Sequence, residues 1–215
     1  MSFVLSVGIA LLANVRHPGF VPESSQKVLL AILFPGTLIL ALGVYDDIRS
    51  LSPYTKFAVQ ALAASILYAG GMRIDALPVF FGLRHIGPAV GLPLTILWVI
   101  GITNAFNLLD GLDGLAAGSA LFSTMVVFAV AVFSDRALVA LLTIALAGAI
   151  LGFLRFNFNP ATIFLGDCGS LFIGFMLSAL ALQGAQKSPT VIAVAIPVVS
   201  FGLPILDTAL SVLRR

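Results

Sequence analysis

Long apolar runs follow one another along almost the whole chain, and short polar segments separate them. Leu, Ala, Ile, Val and Phe fill the runs without the strict alternation of apolar and polar residues that barrel strands show. In lipid, only helices or closed barrels satisfy the backbone hydrogen bonds. The pattern therefore predicts an all-α, polytopic transmembrane bundle, with the whole chain, 1–215, as a single domain. We expect about eight spans, approximately at 3–14, 28–45, 57–71, 89–106, 114–133, 137–154, 168–183 and 190–213.

The few acidic residues follow this pattern closely, since six of the nine lie in short motifs at the ends of apolar runs. If successive spans cross in opposite directions, all six carboxylates emerge on the same side. Charge beside hydrocarbon is unfavourable, so the arrangement indicates a function such as holding a divalent cation against phosphates. Basic residues occur on both sides in similar number, so they do not fix the orientation. The six acids are Asp46, Asp47, Asp110, Asp113, Asp167 and Asp207.

The composition supports the membrane assignment and excludes other classes. Mean hydropathy is +1.14 and charged residues make up 9% of the chain, against roughly 25% in a soluble domain. The net charge of only +2 does not indicate nucleic acid as a partner. A lone Cys168 excludes an internal disulfide and a cysteine metal cluster.

The first motif, GVYDDIRSLSPYTKF, places two adjacent carboxylates after one span and a lysine before the next. Asp46 and Asp47 need a metal, a cation or a shared proton to coexist. One of them could act as a general base, and Lys56 could neutralise a phosphate. A solvated loop with charges near two helix ends is the alternative interpretation.

The second motif, NAFNLLDGLDGLAAG, spaces Asn104, Asn107, Asp110 and Asp113 by three residues, which keeps neighbouring pairs close on a helix. Amide and carboxylate oxygens suit Mg²⁺ better than zinc. Interhelical hydrogen bonding by Asn and Asp is the alternative interpretation. Four such groups in ten residues favour a functional site.

The third motif, FNFNPATIFLGDCGS, carries Asn157, Phe164 and Asp167, and Ser170 is expected to cap the helix that follows. A helix start favours an anion, and Phe164 could stack on a flat base or simply anchor the membrane interface. In the fourth motif, PILDTALSVLRR, Asp207 lies within an apolar span. An intramembrane acid indicates function, although pairing with a nearby arginine is the structural alternative.

With these motifs in order, the chain resembles the polyprenyl-phosphate N-acetylhexosamine-1-phosphate transferases (glycosyltransferase family 4), over about 43–215. NAFNLLDGLDG is more similar to the N-acetylglucosaminyl branch than to the muramyl-pentapeptide branch. The resemblance implies transfer of a phospho-sugar, such as GlcNAc-1-phosphate, from a UDP-sugar to polyprenyl phosphate with release of UMP. It also implies Mg²⁺, or Mn²⁺, as cofactor.

The resemblance implies a role for each motif residue. Asn107 and Asp167 would hold the metal. Asp46 and Asp47 would lie beside the polyprenyl phosphate, one of them deprotonating it, and Lys56 would bind phosphate. The uridine side would be lined by Asp110, Asn157 and Phe164. Asn104 and Asp207 are further candidates for substrate binding, and Asp113 is a further catalytic candidate; Asp113 and Asp207 would support the site.

The same resemblance implies a multi-pass protein of the inner (plasma) membrane whose site faces the cytoplasm. Relative to the family pattern, an N-terminal helix and a C-terminal His-rich loop are expected to lie beyond this chain. An ion-coupled transporter and an inactive fragment of the transferase are the alternatives. A homodimer stays open.

Overall fold

The computed structural model of the chain describes residues 23–75 and 85–185, and the regular secondary structure in these ranges is α-helical. All of the described helices except α2 are long and apolar enough to cross a bilayer. The predicted all-α class is confirmed. Because the first and last predicted spans fall outside the described residues, the count of about eight is not confirmed. The helices are α1 (Glu23–Ile48), α2 (Pro53–Ala69), α3 (Pro88–Leu109), α4 (Leu115–Phe133), α5 (Ala137–Asn157) and α6 (Gly166–Ala185).

Helix α2 begins before its apolar run because a capping residue, rather than hydropathy, sets its start. The third run was expected to begin at residue 57, yet α2 begins at Pro53. Ser52 is its N-cap and accepts a hydrogen bond from the Thr55 N–H at 3.3 Å. Proline suits the first helical position because its missing N–H would have no intrahelical partner there. This early start places Lys56 inside the first turn of α2.

Helix α6 lies at the centre of the described bundle. In the apolar stretch of α6, 72% of the residues are buried, against 33–39% in the corresponding stretches of the other four membrane-length helices. Helices α1, α3 and α4 pack around it, α5 packs mainly on α4, and α2 packs on α1 and α3. The start of α6 is therefore surrounded by the ends of several helices.

Two glycines allow α6 to approach its neighbours at backbone distance. A Cβ on Gly43 of α1 would lie 2.5 Å from the Cα of Cys168. A Cβ on Gly174 of α6 would lie 2.8 Å from the Cα of Thr103 in α3. Small residues at such crossings are typical of helix packing in membranes. The approach at Gly43 brings the end of α1 against the first turn of α6.

Candidate active site

The polar motifs converge at one end of the bundle, as the alternating direction of the helices predicts. Helices α1, α3 and α5 end there, and α2, α4 and α6 begin there. Hydrogen bonds and ion pairs join side chains from these helix ends and from the three loops between them. Asp75 and Asp135 follow the ends of α2 and α4, at the opposite end of the bundle.

Lys56 is the centre of the first cluster of charges. Its ammonium forms an ion pair with Asp46 and a second with Asp167, whose Oδ2 lies 2.7 Å from Nζ. Asp46 is only 9% exposed, and its Oδ1 accepts a hydrogen bond from the Leu51 N–H at 2.6 Å. One cation therefore neutralises two carboxylates that come from α1 and α6.

Asn107 approaches Asp167 from the side of α3. Its Nδ2 donates to Asp167 Oδ1 at 2.9 Å and to Ser170 Oγ at 2.9 Å. Ser170 is fully buried, and its hydroxyl donates to the Gly166 carbonyl at 2.8 Å. The expectation that Ser170 caps α6 is wrong. Ser170 lies one turn inside the helix, and its hydroxyl donates to the carbonyl of the preceding turn.

The cap of α6 comes instead from another helix. Asp47, near the end of α1, accepts the Asp167 N–H on Oδ1 at 2.9 Å and the Cys168 N–H on Oδ2 at 3.1 Å. Gly166 has φ +66°, and a Cβ there would lie 3.1 Å from both carboxylate oxygens of Asp47. Glycine is therefore required at this position by the backbone conformation and by the space that Asp47 occupies.

Asp110 follows α3 and completes the acidic environment of the α6 start. Burial raises the pKa of Asp110 to about 6, and the negative charges of Asp167 and Asp47 act in the same direction. A hydrogen bond with the Gly166 backbone offsets only part of this shift. Asp110 thus titrates closer to neutrality than an ordinary aspartate.

A second cluster holds the loops after α3 and α5 together. Asn157 is 3% exposed; its Oδ1 accepts the Gly114 N–H at 3.1 Å, and its Nδ2 donates to the Ile163 carbonyl at 2.9 Å. Asp113 Oδ2 accepts the Ala161 N–H at 3.0 Å. These bonds bring the loops of 110–114 and 158–165 together, so Asn157 and Asp113 shape the site's rim.

Gln60 is a polar residue of this region that the motif analysis missed. It is fully buried in α2, one turn after Lys56, and its Oε1 accepts a hydrogen bond from Asn104 Nδ2 at 2.6 Å. Asn104 also donates to the Ile100 carbonyl at 2.8 Å. The spacing of four residues between Lys56 and Gln60, which places both on one helix face, was the signal in the sequence that could have identified Gln60. The Gln60–Asn104 pair joins α2 to α3 beneath the charged cluster.

Two remaining candidates lie apart from these clusters. Phe164 is 73% exposed, so its ring is open to a ligand or to the membrane interface. Asp207 lies outside the described residues. The structure therefore joins five candidates in one cluster around Asp167, with Asp110 beside them: Asp46, Asp47, Lys56, Asn107 and Asp167.

The donor set suits a hard cation that needs few protein ligands. In residues 23–75 and 85–185, no group of three His, Cys, Asp or Glu side chains lies close enough together to bind one metal ion. Mg²⁺ is usually held by one or two carboxylates together with water and substrate phosphates. Asp46 and Asp167 both contact a single ammonium, so their oxygens lie within reach of one cation. The donor set of the described residues therefore fits Mg²⁺.

Known proteins with related sequences place this chain in a family. The family model of glycosyl transferase family 4 matches residues 29–185. A probable undecaprenyl-phosphate N-acetylglucosaminyl 1-phosphate transferase of Bacillus subtilis is 38% identical over 212 residues, which cover 98% of this chain and 58% of the relative. A decaprenyl-phosphate N-acetylglucosaminephosphotransferase of Mycolicibacterium smegmatis is 37% identical over 247 residues, covering 100% of this chain and 59% of the relative.

A more distant relative belongs to another branch. A phospho-N-acetylmuramoyl-pentapeptide-transferase of Streptococcus suis is 34% identical over 172 residues, covering 74% of this chain and 51% of the relative. The chain thus spans between half and three fifths of the length of these relatives. Together with the long apolar helices, the match over 29–185 identifies the chain as a multi-pass membrane protein of glycosyl transferase family 4.

Proposed function

We propose that this protein transfers N-acetylglucosamine-1-phosphate from UDP-N-acetylglucosamine to a polyprenyl phosphate and releases UMP. The observation that carries the proposal is the contact of Lys56 with Asp46 and Asp167 at one end of the bundle. The Lys56 ammonium can bind a phosphate oxygen, and the two carboxylates can bind a cation that neutralises phosphate charge at the edge of a membrane. The names of the relatives from B. subtilis and M. smegmatis, with undecaprenyl and decaprenyl phosphate, support the lipid and the sugar.

The reaction is a phosphoryl transfer between two anionic partners. An oxygen of the lipid phosphate attacks the sugar-linked phosphorus of the UDP-sugar. The bond from that phosphorus to the bridging oxygen breaks, and the bridging oxygen leaves with UMP. The lipid then carries a pyrophosphate linked to the sugar. Because both partners are negatively charged, catalysis depends on positioning and on positive charge at the phosphates.

Lys56 is the residue of the described chain best placed to supply positive charge. Its ammonium contacts both Asp46 and Asp167 and would exchange one of these carboxylate partners for a phosphate oxygen. Asp167, with the amide oxygen of Asn107 after rotation of that side chain, would hold Mg²⁺ or Mn²⁺. When bound, the cation would neutralise phosphate charge and orient the two substrates.

On the uridine side of the site, the proposed contacts come from the residues that follow α3 and α5. Asp110 and the exposed ring of Phe164 are the candidates for contact with the nucleotide. Asn157 and Asp113 would act by holding the adjoining loops, and Asn104 by joining α3 to α2. We propose that this end of the bundle faces the cytoplasm from the plasma membrane, and that the reaction begins an envelope polysaccharide.

The test uses purified protein, undecaprenyl phosphate and radiolabelled UDP-N-acetylglucosamine, with Mg²⁺ or with EDTA. We expect label in the lipid phase only with Mg²⁺, and a loss of at least about a hundredfold in Asp167→Asn. Asp75→Asn, which alters an exposed carboxylate at the opposite end, is the matched control. Equal labelling in Asp167→Asn and in the control would overturn the site assignment. Absence of lipid label with folded protein and every UDP-N-acetylhexosamine tried would overturn the function.

A further inference from the structure

The first turn of α6 has backbone N–H groups for which the residues just before the helix supply no side-chain acceptor. The first N–H groups of a helix have no intrahelical partner and are usually capped by a Ser, Thr, Asp or Asn side chain just before the helix. Here Leu165 and Gly166 occupy that place, and neither has a side-chain acceptor. Ser170, the nearest hydroxyl, donates to a carbonyl and lies too far along the helix.

Asp47, which lies near the end of α1, supplies the missing acceptors. Each of its carboxylate oxygens accepts one backbone N–H of the turn, from Asp167 at 2.9 Å and from Cys168 at 3.1 Å. These two donors lie 120 and 121 positions further along the chain. Gly43 and Gly166 leave the space that this approach needs, because a Cβ on either would meet α6 backbone or the Asp47 carboxylate. The contact is thus built from three places in the sequence.

From this geometry we infer that Asp47 is a positioning residue, which caps α6 and thereby fixes the Asp167 side chain between Lys56 and Asn107. The inference rests on the proposed function for its consequence in catalysis. It separates the two adjacent acids: Asp46 contacts Lys56 through its carboxylate, whereas Asp47 holds the backbone on which Asp167 stands.

The chemistry of the acceptor makes a base at Asp47 unnecessary. A phosphate monoester has a second pKa near 6, so at pH 7 about nine tenths of it is already the dianion that attacks. A proton on either oxygen of Asp47 would also weaken the N–H bond that this oxygen accepts. Both arguments favour a carboxylate that remains in place through the reaction.

The conservative variant provides the discriminating test. Asparagine keeps one side-chain acceptor oxygen and can retain one of the two N–H bonds, whereas alanine retains neither. The comparison is therefore between Asp47→Asn and Asp47→Ala, with Asp75→Ala as the control for loss of an exposed carboxylate. Hydrogen–deuterium exchange of the full-length protein in detergent, with EDTA present, measures the first turn of α6 without any substrate.

We expect exchange in residues 166–169 to be about fivefold faster in Asp47→Ala and intermediate in Asp47→Asn, which keeps one of the two N–H bonds. We also expect Mn²⁺ to bind roughly tenfold more weakly to Asp47→Ala by electron paramagnetic resonance, with an intermediate affinity in Asp47→Asn. If the cap served only global stability, Mn²⁺ affinity well below the melting temperature would be equal in the two variants.

Turnover gives the last comparison. A positioning role predicts a higher kcat in Asp47→Asn than in Asp47→Ala, with similar KM for the lipid in both. Equal loss of kcat in the two variants would overturn the inference and assign a charge or proton-transfer role to Asp47. Unchanged exchange in Asp47→Ala would overturn the cap itself. Because exchange and Mn²⁺ binding need no activity, both readouts remain decisive if the proposed transferase function fails.

Discussion

Lys56 and Asp167 lie 111 positions apart in the chain, and the Nζ of one is 2.7 Å from the Oδ2 of the other. The same ammonium also contacts Asp46. One side chain of α2 therefore links α1 to α6, the central helix of the described bundle. The pair explains why the acids can lie close together at the edge of hydrocarbon, since each has a cation or an N–H donor as partner.

Removal of the Lys56 charge should destabilise the protein and make it depend on added cations. In Lys56→Met, Asp46 and Asp167 lose their shared partner, and we expect unfolding to become easier by about 2 kcal/mol in EDTA. Mn²⁺ should then raise the melting temperature more in the variant than in the parent. Thermal unfolding in detergent measures both effects. Lys27→Met, at an exposed position of α1, is the control, and an equal response of both variants would contradict the prediction.

The crossing at Gly43 should tolerate no side chain. In Gly43→Ala the new Cβ would lie 2.5 Å from the Cα of Cys168, so α1 must move away from α6. We expect a loss of about 1–3 kcal/mol despite the better helix propensity of alanine. Gly101→Ala is the matched control, because nothing lies within 4 Å of its Cβ position, and it should stabilise α3 by up to about 1 kcal/mol. Denaturant unfolding of the two variants in detergent measures the difference; a neutral or stabilising Gly43→Ala would contradict the close approach.

Asp110 should make stability depend on pH below neutrality. Its pKa is raised from 3.8 to about 6, chiefly by burial, so the folded state holds the proton more tightly than the unfolded state. This contribution is complete below about pH 4 and is lost as the pH rises through about 6. In Asp110→Asn the corresponding slope should disappear, with the variant gaining relative to the parent towards pH 8. Unfolding free energies measured from pH 4 to 8 in EDTA test this, and parallel curves for the two proteins would refute it.

Asn157 should matter for stability far more than its neighbour Asn159. Replacement of the buried Asn157 by leucine leaves the Gly114 N–H and the Ile163 carbonyl without their partner, which costs about 2 kcal/mol. Asn159→Ala removes only a 3.5 Å contact with Asp113 at an exposed position and should be nearly neutral. Chemical denaturation of both variants gives the comparison, and similar losses would show that Asn157 does not hold the two loops together.

The sequence was sufficient to predict the helices and the side of the bundle on which the acids lie. Apolar runs determine where helices form, and the alternation of their directions places the motif ends together. The sequence alone did not predict, however, which partner each polar residue of one helix would contact. Asn104 and Asn107 lie in one motif whose spacing keeps neighbouring pairs close, yet Asn104 contacts Gln60 and Asn107 contacts Asp167.

Contacts between distant segments account for what was missed. Gln60 lies in an apolar run, where its spacing of four residues from Lys56 places it on the same helix face but names no partner, and its role appears only when α2 is placed beside α3. The cap at Asp47 depends on how closely α1 crosses α6 at Gly43, and spacing within a motif carries no information on that distance. The resemblance implies a place on the uridine side for Asn157, and its burial, which the motif does not indicate, follows from how two loops fold over it.

The position of Asp167 at the start of α6 has a consequence for biogenesis. Ribosomes deliver the chain from its N-terminus, so Asp46, Asp47, Lys56 and Asn107 all enter the membrane before α6 is made. Until then Lys56 has only Asp46 as its carboxylate partner from this cluster, and Asp47 has no helix to cap. Insertion of α6 therefore completes the charged cluster, and a nascent chain that stops before residue 166 has only the contact of Lys56 with Asp46 available to it.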